Sequence, residues 1–134
     1  MKRKITFRAW HKLAHKMVSI DMLDFALDAY RAKAGKSLGS GHLADIELMQ
    51  NTDLKDRDGQ PIYEGDIVMS GLGGNIGEVL FGGYAFRIKS ITGQWGGELR
   101  MFEFNGLKVI GNIYENAEIK SYPQTYLDNL SNRS

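Results

Sequence analysis

The sequence predicts a β-rich α+β domain, and three observations carry that expectation. Sixteen glycines stand against two prolines, and most fall after Gly35 between short runs of β-branched and aromatic residues. That is the pattern of strands joined by tight turns. At the start of the chain Ile5, Phe7 and Ala9 alternate with Lys4, Thr6 and Arg8, the period-two signature of a half-buried strand. One stretch, Asp21 to Gly35, breaks the pattern with Ala and Leu at helical density.

Taken in order, residues 4–10 read as the first strand and Met17, Val18 and Ile20 as its return, with His11 to Lys16 as the connecting loop. The strand is expected to end at Ile20 and a helix to begin near Asp24. Aspartates come early in that segment, Arg31 and Lys33 late, and Gly35 stands at a C′ stop. Leu23, Leu27, Tyr30 and Ala34 would share its apolar face. Lys36 to Leu43 reads as a loop. Further strands are expected at Asp66 to Met69, Gly77 to Phe81, Ala85 to Ile88, Leu99 to Phe104 and Leu107 to Ile110. Asn105-Gly106 would form the two-residue turn of a hairpin, since both residues tolerate positive φ. The division expected is one domain over 1–120 and a polar C-terminal tail over 121–134.

The chain has 134 residues, enough to bury about two-thirds of its extended surface. It has no cysteine, which removes disulfides and thiolate chemistry and fits a reducing, cytoplasmic setting. Seventeen basic against sixteen acidic residues give a net charge of +1, which excludes a globally basic nucleic-acid coat. Lys2, Arg3 and Lys4 resemble the start of a signal peptide, but Arg8, His11, Lys12 and His15 interrupt any apolar stretch. No window approaches the roughly 18 apolar residues of a membrane span. A protein that stays in the cytoplasm, away from the membrane, is the expectation.

Several motif matches fail on context. Gly35-Lys36-Ser37-Leu38-Gly39 fits G-x-S-x-G, but a nucleophile elbow needs a strand before its serine and a large α/β sheet. Gly35-Lys36-Ser37 lacks the first glycine of a P-loop, whose place is held by Tyr30. Gly71 to Gly77 has its third glycine one place too late for a dinucleotide fingerprint and reads as a hairpin loop. His11 and His15 lose their ligand spacing in a hairpin, and His42 is isolated. Asp56-Arg57-Asp58-Gly59 lacks the distal ligands of a calcium loop and reads as a turn. Glu64 and Asp66 flank Gly65, with Glu47 and Glu78 elsewhere. A carboxylate at such a place accepts turn amides more readily than it does acid–base work. No catalytic residue, cofactor or metal is expected.

Three separated segments resemble one family. They are ITFRAW (Ile5 to Trp10) followed by Lys16-Met17-Val18, LMQNTDLKDRDGQPIYEGDIV (Leu48 to Val68), and VIGNIYENAE (Val109 to Glu118). In this order and spacing they are similar to the YopX family, small proteins carried by phages and prophages of mainly Gram-positive bacteria. Gly77-Glu78-Val79 and Ala85-Phe86 are similar to the family's middle strands. The chain departs from the family pattern at His11, Asn51, Asp53 and Ala117, none of them an apolar anchor. The resemblance implies a compact single domain, α+β or mainly β, on a small antiparallel, barrel-like sheet with one short helix. Leu54, Ile62, Tyr63, Ile67, Val68, Val109, Ile110 and Ile113 are expected to form one contiguous core.

The leading functional expectation is a non-enzymatic module that binds a host or phage protein. The alternative is nucleic-acid binding. Residues 1–16 hold six basic side chains and no acidic one. Lys2, Lys4, Arg8 and Trp10 would share a strand face, extended by Lys12 and Lys16, with Trp10 available for stacking. Unpaired strand edges, and a tail carrying Tyr122, Tyr126 and Leu127, suggest a homo-oligomer.

Overall fold

A computed structural model describes residues 5–33, 39–70, 74–92, 95–102 and 106–118. It contains eleven strands among these residues: β1 (Phe7–His11), β2 (Lys16–Asp24), β3 (Ala29–Ala32), β4 (Ser40–His42), β5 (Ile46–Lys55), β6 (Pro61–Tyr63), β7 (Asp66–Met69), β8 (Ile76–Gly82), β9 (Ala85–Ser90), β10 (Gly96–Glu98) and β11 (Lys108–Asn112). They form two antiparallel sheets, ordered β4-β3-β2-β1-β5-β6 and β10-β9-β8-β7-β11. Neither sheet closes, so the expected barrel-like sheet is corrected to two open ones. Three of their four edge strands are short: β4, β6 and β10 have three residues each, too few to template long pairings, while β11 has five. The chain divides at Asn51/Thr52, inside β5, into two compact units.

In the first unit β1 is flanked by β2 and β5. Ala9 lies opposite Val18 on one side and Leu48 on the other. Directly opposed residues point the same way, so these side chains define the core face. Ala9, Tyr30 and Ile46 are buried there, with Ile20, Leu23, Leu43 and Leu48 packed against them.

The expected helix is absent, and the helical elements among the described residues are short 3₁₀ turns, Leu43–Asp45 and Leu99–Phe102 among them. Residues 16–32 form a hairpin instead. Its register slips between Ile20 and Met22. That bulge adds one residue, bends the strand, and puts Ile20 and Leu23 on one face three positions apart. A bulged strand thereby imitates helical spacing. Leu27, assigned to the helix face, is 74% exposed in the turn. Asp24 Oδ1 accepts the Leu27 N–H at 3.0 Å, and Asp28 takes φ +57°, so local polar chemistry closes this turn. The loop expected over Lys36 to Leu43 contains a strand, β4 at Ser40–His42, and ends at the start of the 3₁₀ turn at Leu43. Residues 34–38, which hold most of both serine-containing motifs, lie outside the described residues.

The second unit buries both faces of β7, all four of whose residues are inaccessible. Val68 joins Ile62, Val79, Ile88, Leu99 and Leu107, with Leu54 and Val109 packed alongside. Ile67 joins Met69 and Ile76, with Ile110 and Ile113 alongside. The single core expected from the sequence is therefore two cores on opposite faces, because neighbouring strand residues point in opposite directions. Tyr63 is half-buried.

Residues 99–102 are a 3₁₀ turn where a strand was expected. Gly96 and Gly97 both take positive φ and turn the chain inward. Leu99 then drops into the core, and the Phe102 ring meets Trp95 edge-on at 5.5 Å. Asn105, the 103–105 segment and the tail from residue 119 lie outside the described residues.

Tyr30 gives a pH expectation. Burial, with the Asp45 carboxylate as the smaller cause, raises its phenol above the ordinary 10.0. The folded chain then holds the proton longer than the unfolded one, so stability is complete below about pH 10 and falls as pH rises through that value. Urea midpoints measured on both sides of it should fall for the parent chain and flatten in Tyr30→Phe.

Candidate functional site

The N-terminal hairpin distributes its candidate side chains rather than gathering them. Arg8 and Trp10 share one face of β1, across from Ser19 and Met17 on β2 and from Met49 and Glu47 on β5. Arg8 Nη2 sits 3.8 Å from the buried Met49 Sδ, and the half-buried Trp10 ring lies 5.9 Å from His15. Lys12, in the following turn, is engaged: its Nζ is 3.2 Å from Glu47 Oε1 and donates to the Ala44 carbonyl at 3.1 Å. Lys16 is exposed and pairs with His11, which puts it on the Ala9 face, opposite to Arg8 and Trp10. Lys2 and Lys4 lie outside the described residues.

The buried polar groups of the second unit serve the backbone. Asp56 Oδ1 accepts the amides of Asp58 and Gln60, both at 2.9 Å, and Oδ2 accepts that of Val109 at 3.0 Å. Gly59 takes φ +83° in this turn, as its position after Asp-Arg-Asp requires. Arg57 N–H donates to the Leu107 carbonyl alongside. The second and third sequence motifs are thus stitched together by one carboxylate and one backbone bond. Asp66 Oδ2 accepts the Tyr63 amide at 2.7 Å, so of the two carboxylates flanking Gly65 this one holds a turn. Asn112 Oδ1 accepts from Tyr114 and Glu115, while its Nδ2 donates to Glu115 Oε1.

Other candidates are dispersed. His11 Nδ1 accepts the Ala14 amide, His15 stands in the turn at φ +53°, and His42 is exposed on β4. Among the described residues no three His, Cys, Asp or Glu side chains gather to hold a metal. A shallow depression lined by Glu78, Lys89, Ser90 and Ile91 lies on β8 and β9, but the Ser90 hydroxyl donates to the Thr92 carbonyl at 2.6 Å. Gly77, from the rejected dinucleotide pattern, lies in β8 under Ile88 and Trp95, where a Cβ would collide with the Lys89 carbonyl. No helix among the described residues is long and apolar enough to cross a membrane.

The three motifs thus supply the β1–β2 hairpin, the Asp56 turn with β7, and β11. Matched as a whole, residues 6–119 fit the family described as YopX protein. The chain belongs to the YopX family. No curated protein matches it. Two crystal structures share the YopX fold seen here. One is protein EF1440 from Enterococcus faecalis, 22% identical, covering 89% of this chain and 99% of its own, at a TM-score of 0.68. The other is protein yopX from Bacillus subtilis, 15% identical, covering 88% and 97%, at 0.60.

What sequence reading missed in this YopX-family chain are apolar side chains placed on turns. Phe25 and Leu27 are 71% and 74% exposed at the β2–β3 turn, and Leu13 is 82% exposed at the β1–β2 turn. Tyr84 is fully exposed on the β8–β9 turn, with Phe81 53% exposed at its base. Gly82-Gly83 beside two aromatics was the available signal.

Proposed function

We propose that this YopX-family chain is a non-enzymatic binding module for a phage or host protein, working in the bacterial cytoplasm. The observation that carries the reading is the aromatic tip of the β8–β9 hairpin. Tyr84 projects fully into solvent, and Phe81 packs edge-on against Phe86 at 5.2 Å beneath it. A rigid hairpin presenting tyrosine and phenylalanine loses little entropy on docking, and these residue types recur among the dominant contacts of protein interfaces. The commitment of Asp56, Asp66 and Asn112 to turn amides supports the same reading.

The test is a tagged pull-down from a host lysate, with and without nuclease, using the parent chain and Phe81→Ser/Tyr84→Ser. A protein retained by the parent, resistant to nuclease and lost by at least tenfold in the variant supports the reading. Recovery that disappears with nuclease and survives the double substitution overturns it. That outcome would favour a nucleic-acid surface on the Arg8 and Trp10 face of the N-terminal hairpin, with its steep salt dependence.

A further inference from the structure

We propose that Asp56 and Asn116 hold the outer edge of β11 shut against strand addition, and that releasing both lets β11 of a second copy pair there. Among the described residues β11 pairs on one side only, with β7, and at five residues it is the longest of the edge strands. An edge of that length is the one most open to pairing with another chain. Charge does little to guard it, since Lys108 is its one ionised side chain.

Backbone groups of successive residues point to alternate sides of an antiparallel strand. The Ile113 N–H donates to the carbonyl of Gly65, the residue before β7, so the groups of Asn112 point away from β7. Both are taken. Asn116 Oδ1 accepts the Asn112 N–H at 3.1 Å, and the Asn116 N–H donates to the Asn112 carbonyl at 2.9 Å. Towards the start of the strand Asp56 Oδ2 accepts the Val109 N–H, and the Arg57 N–H donates to the Leu107 carbonyl. Between these two clamps the register shifts, which makes Ile110 the extra residue of a bulge. Gly111 serves the same arrangement: a Cβ there would collide with the Asn116 amide oxygen, so only glycine lets that side chain lie against the strand.

The strand itself says what would pair with it. Rotated two-fold about Ile110, β11 lies antiparallel to its own copy, with Lys108 opposite Asn112 and Val109 opposite Gly111, so no like charges face each other. The bulge remains and keeps such a pairing short and weak.

The experiment is light scattering coupled to gel filtration, with amide exchange read residue by residue on the isotope-labelled full chain. Asp56→Asn/Asn116→Ala opens both clamps, because the new asparagine still accepts the Asp58 and Gln60 amides through Oδ1 but turns an NH₂ toward Val109. At about 0.5 mM, where even millimolar association is visible, its mass should move toward twice the parent's. Its Asn112 amide should exchange about tenfold faster than the parent's when dilute and regain protection as concentration rises. Asp56→Asn/Gly111→Ala, which expels the Asn116 side chain instead of truncating it, should behave alike. Asn116→Asp keeps an acceptor for Asn112 and should match the parent in mass. Asn116→Ala alone leaves the Asp56 turn intact and should show the faster dilute exchange with a smaller gain in mass. Opened variants that keep the parent's circular dichroism and the parent's mass overturn the proposal. So does association that leaves Asn112 unprotected, a species heavier than a dimer, or a parent whose Val109 and Asn112 amides exchange as freely as those of exposed turns. If the double variants unfold, Asn116→Ala decides, and an unchanged mass without concentration-dependent protection of Asn112 overturns the proposal. Each of these leaves the Phe81 and Tyr84 reading standing.

Discussion

Asp56→Ala is expected to lower the unfolding free energy by about 3–5 kcal/mol, read as the shift of a urea midpoint at constant slope. The carboxylate is 7% exposed and accepts three backbone amides. Charge-assisted bonds of this type contribute roughly 1.5–3 kcal/mol each. The full sum is not expected, because Asp58 and Gln60 are exposed and water replaces part of what their amides lose. Asp56→Asn separates charge from shape: Oδ1 still accepts two amides, while an NH₂ now faces the Val109 N–H. A loss about half as large is expected. Asp58→Ala, two residues away and exposed, should stay within about 0.5 kcal/mol.

Ile67→Ala should cost about 2–5 kcal/mol, since the side chain is 0% exposed and its removal leaves a cavity beside Met69 and Ile76. Val68→Ala should cost about as much per carbon removed, on the opposite face, beside Ile62 and Val79. An alanine at either position with a near-neutral midpoint would contradict burial of β7 on both faces.

How far the sequence was legible depended on where each segment's pattern came from. Alternation and turn residues located β7, β8 and β9 to within two residues and β1 less closely, because there the local pattern and the tertiary environment agree. Asp56 to Gly59 was readable as a turn for the same reason. Residues 21–35 misled because a bulge reset the strand's phase, and a phase shift leaves no compositional trace. Leu99 to Phe102 misled because two glycines at positive φ redirected an apolar run that reads like any strand. The two-sided core was concealed in Ile67-Val68, whose adjacency looks like one block of hydrophobicity until a pleat separates them. Of the candidate site, the basic residues were visible but their faces were not. Lys16 changes sides through the hairpin register, which no count of charges reveals. The exposed Phe25, Leu27 and Tyr84 were hidden by the ordinary rule that apolar residues face inward.

The hydrogen bond from Val109 to Asp56 joins residues 53 positions apart. Closing a loop of that length costs about 3.5 kcal/mol of chain entropy before any contact compensates. The hairpins β7–β8 and β8–β9, by contrast, close within a few residues and form on the microsecond scale. On refolding from denaturant, those hairpins are therefore expected ahead of the bond between Val109 and Asp56. Until that bond forms the second motif's carboxylate holds only its own turn, and the edge of β7 that β11 will pair is open. A refolding chain of this protein thus passes through a β7–β8–β9 meander whose β7 edge is unpaired, and the third motif is the piece that pairs it.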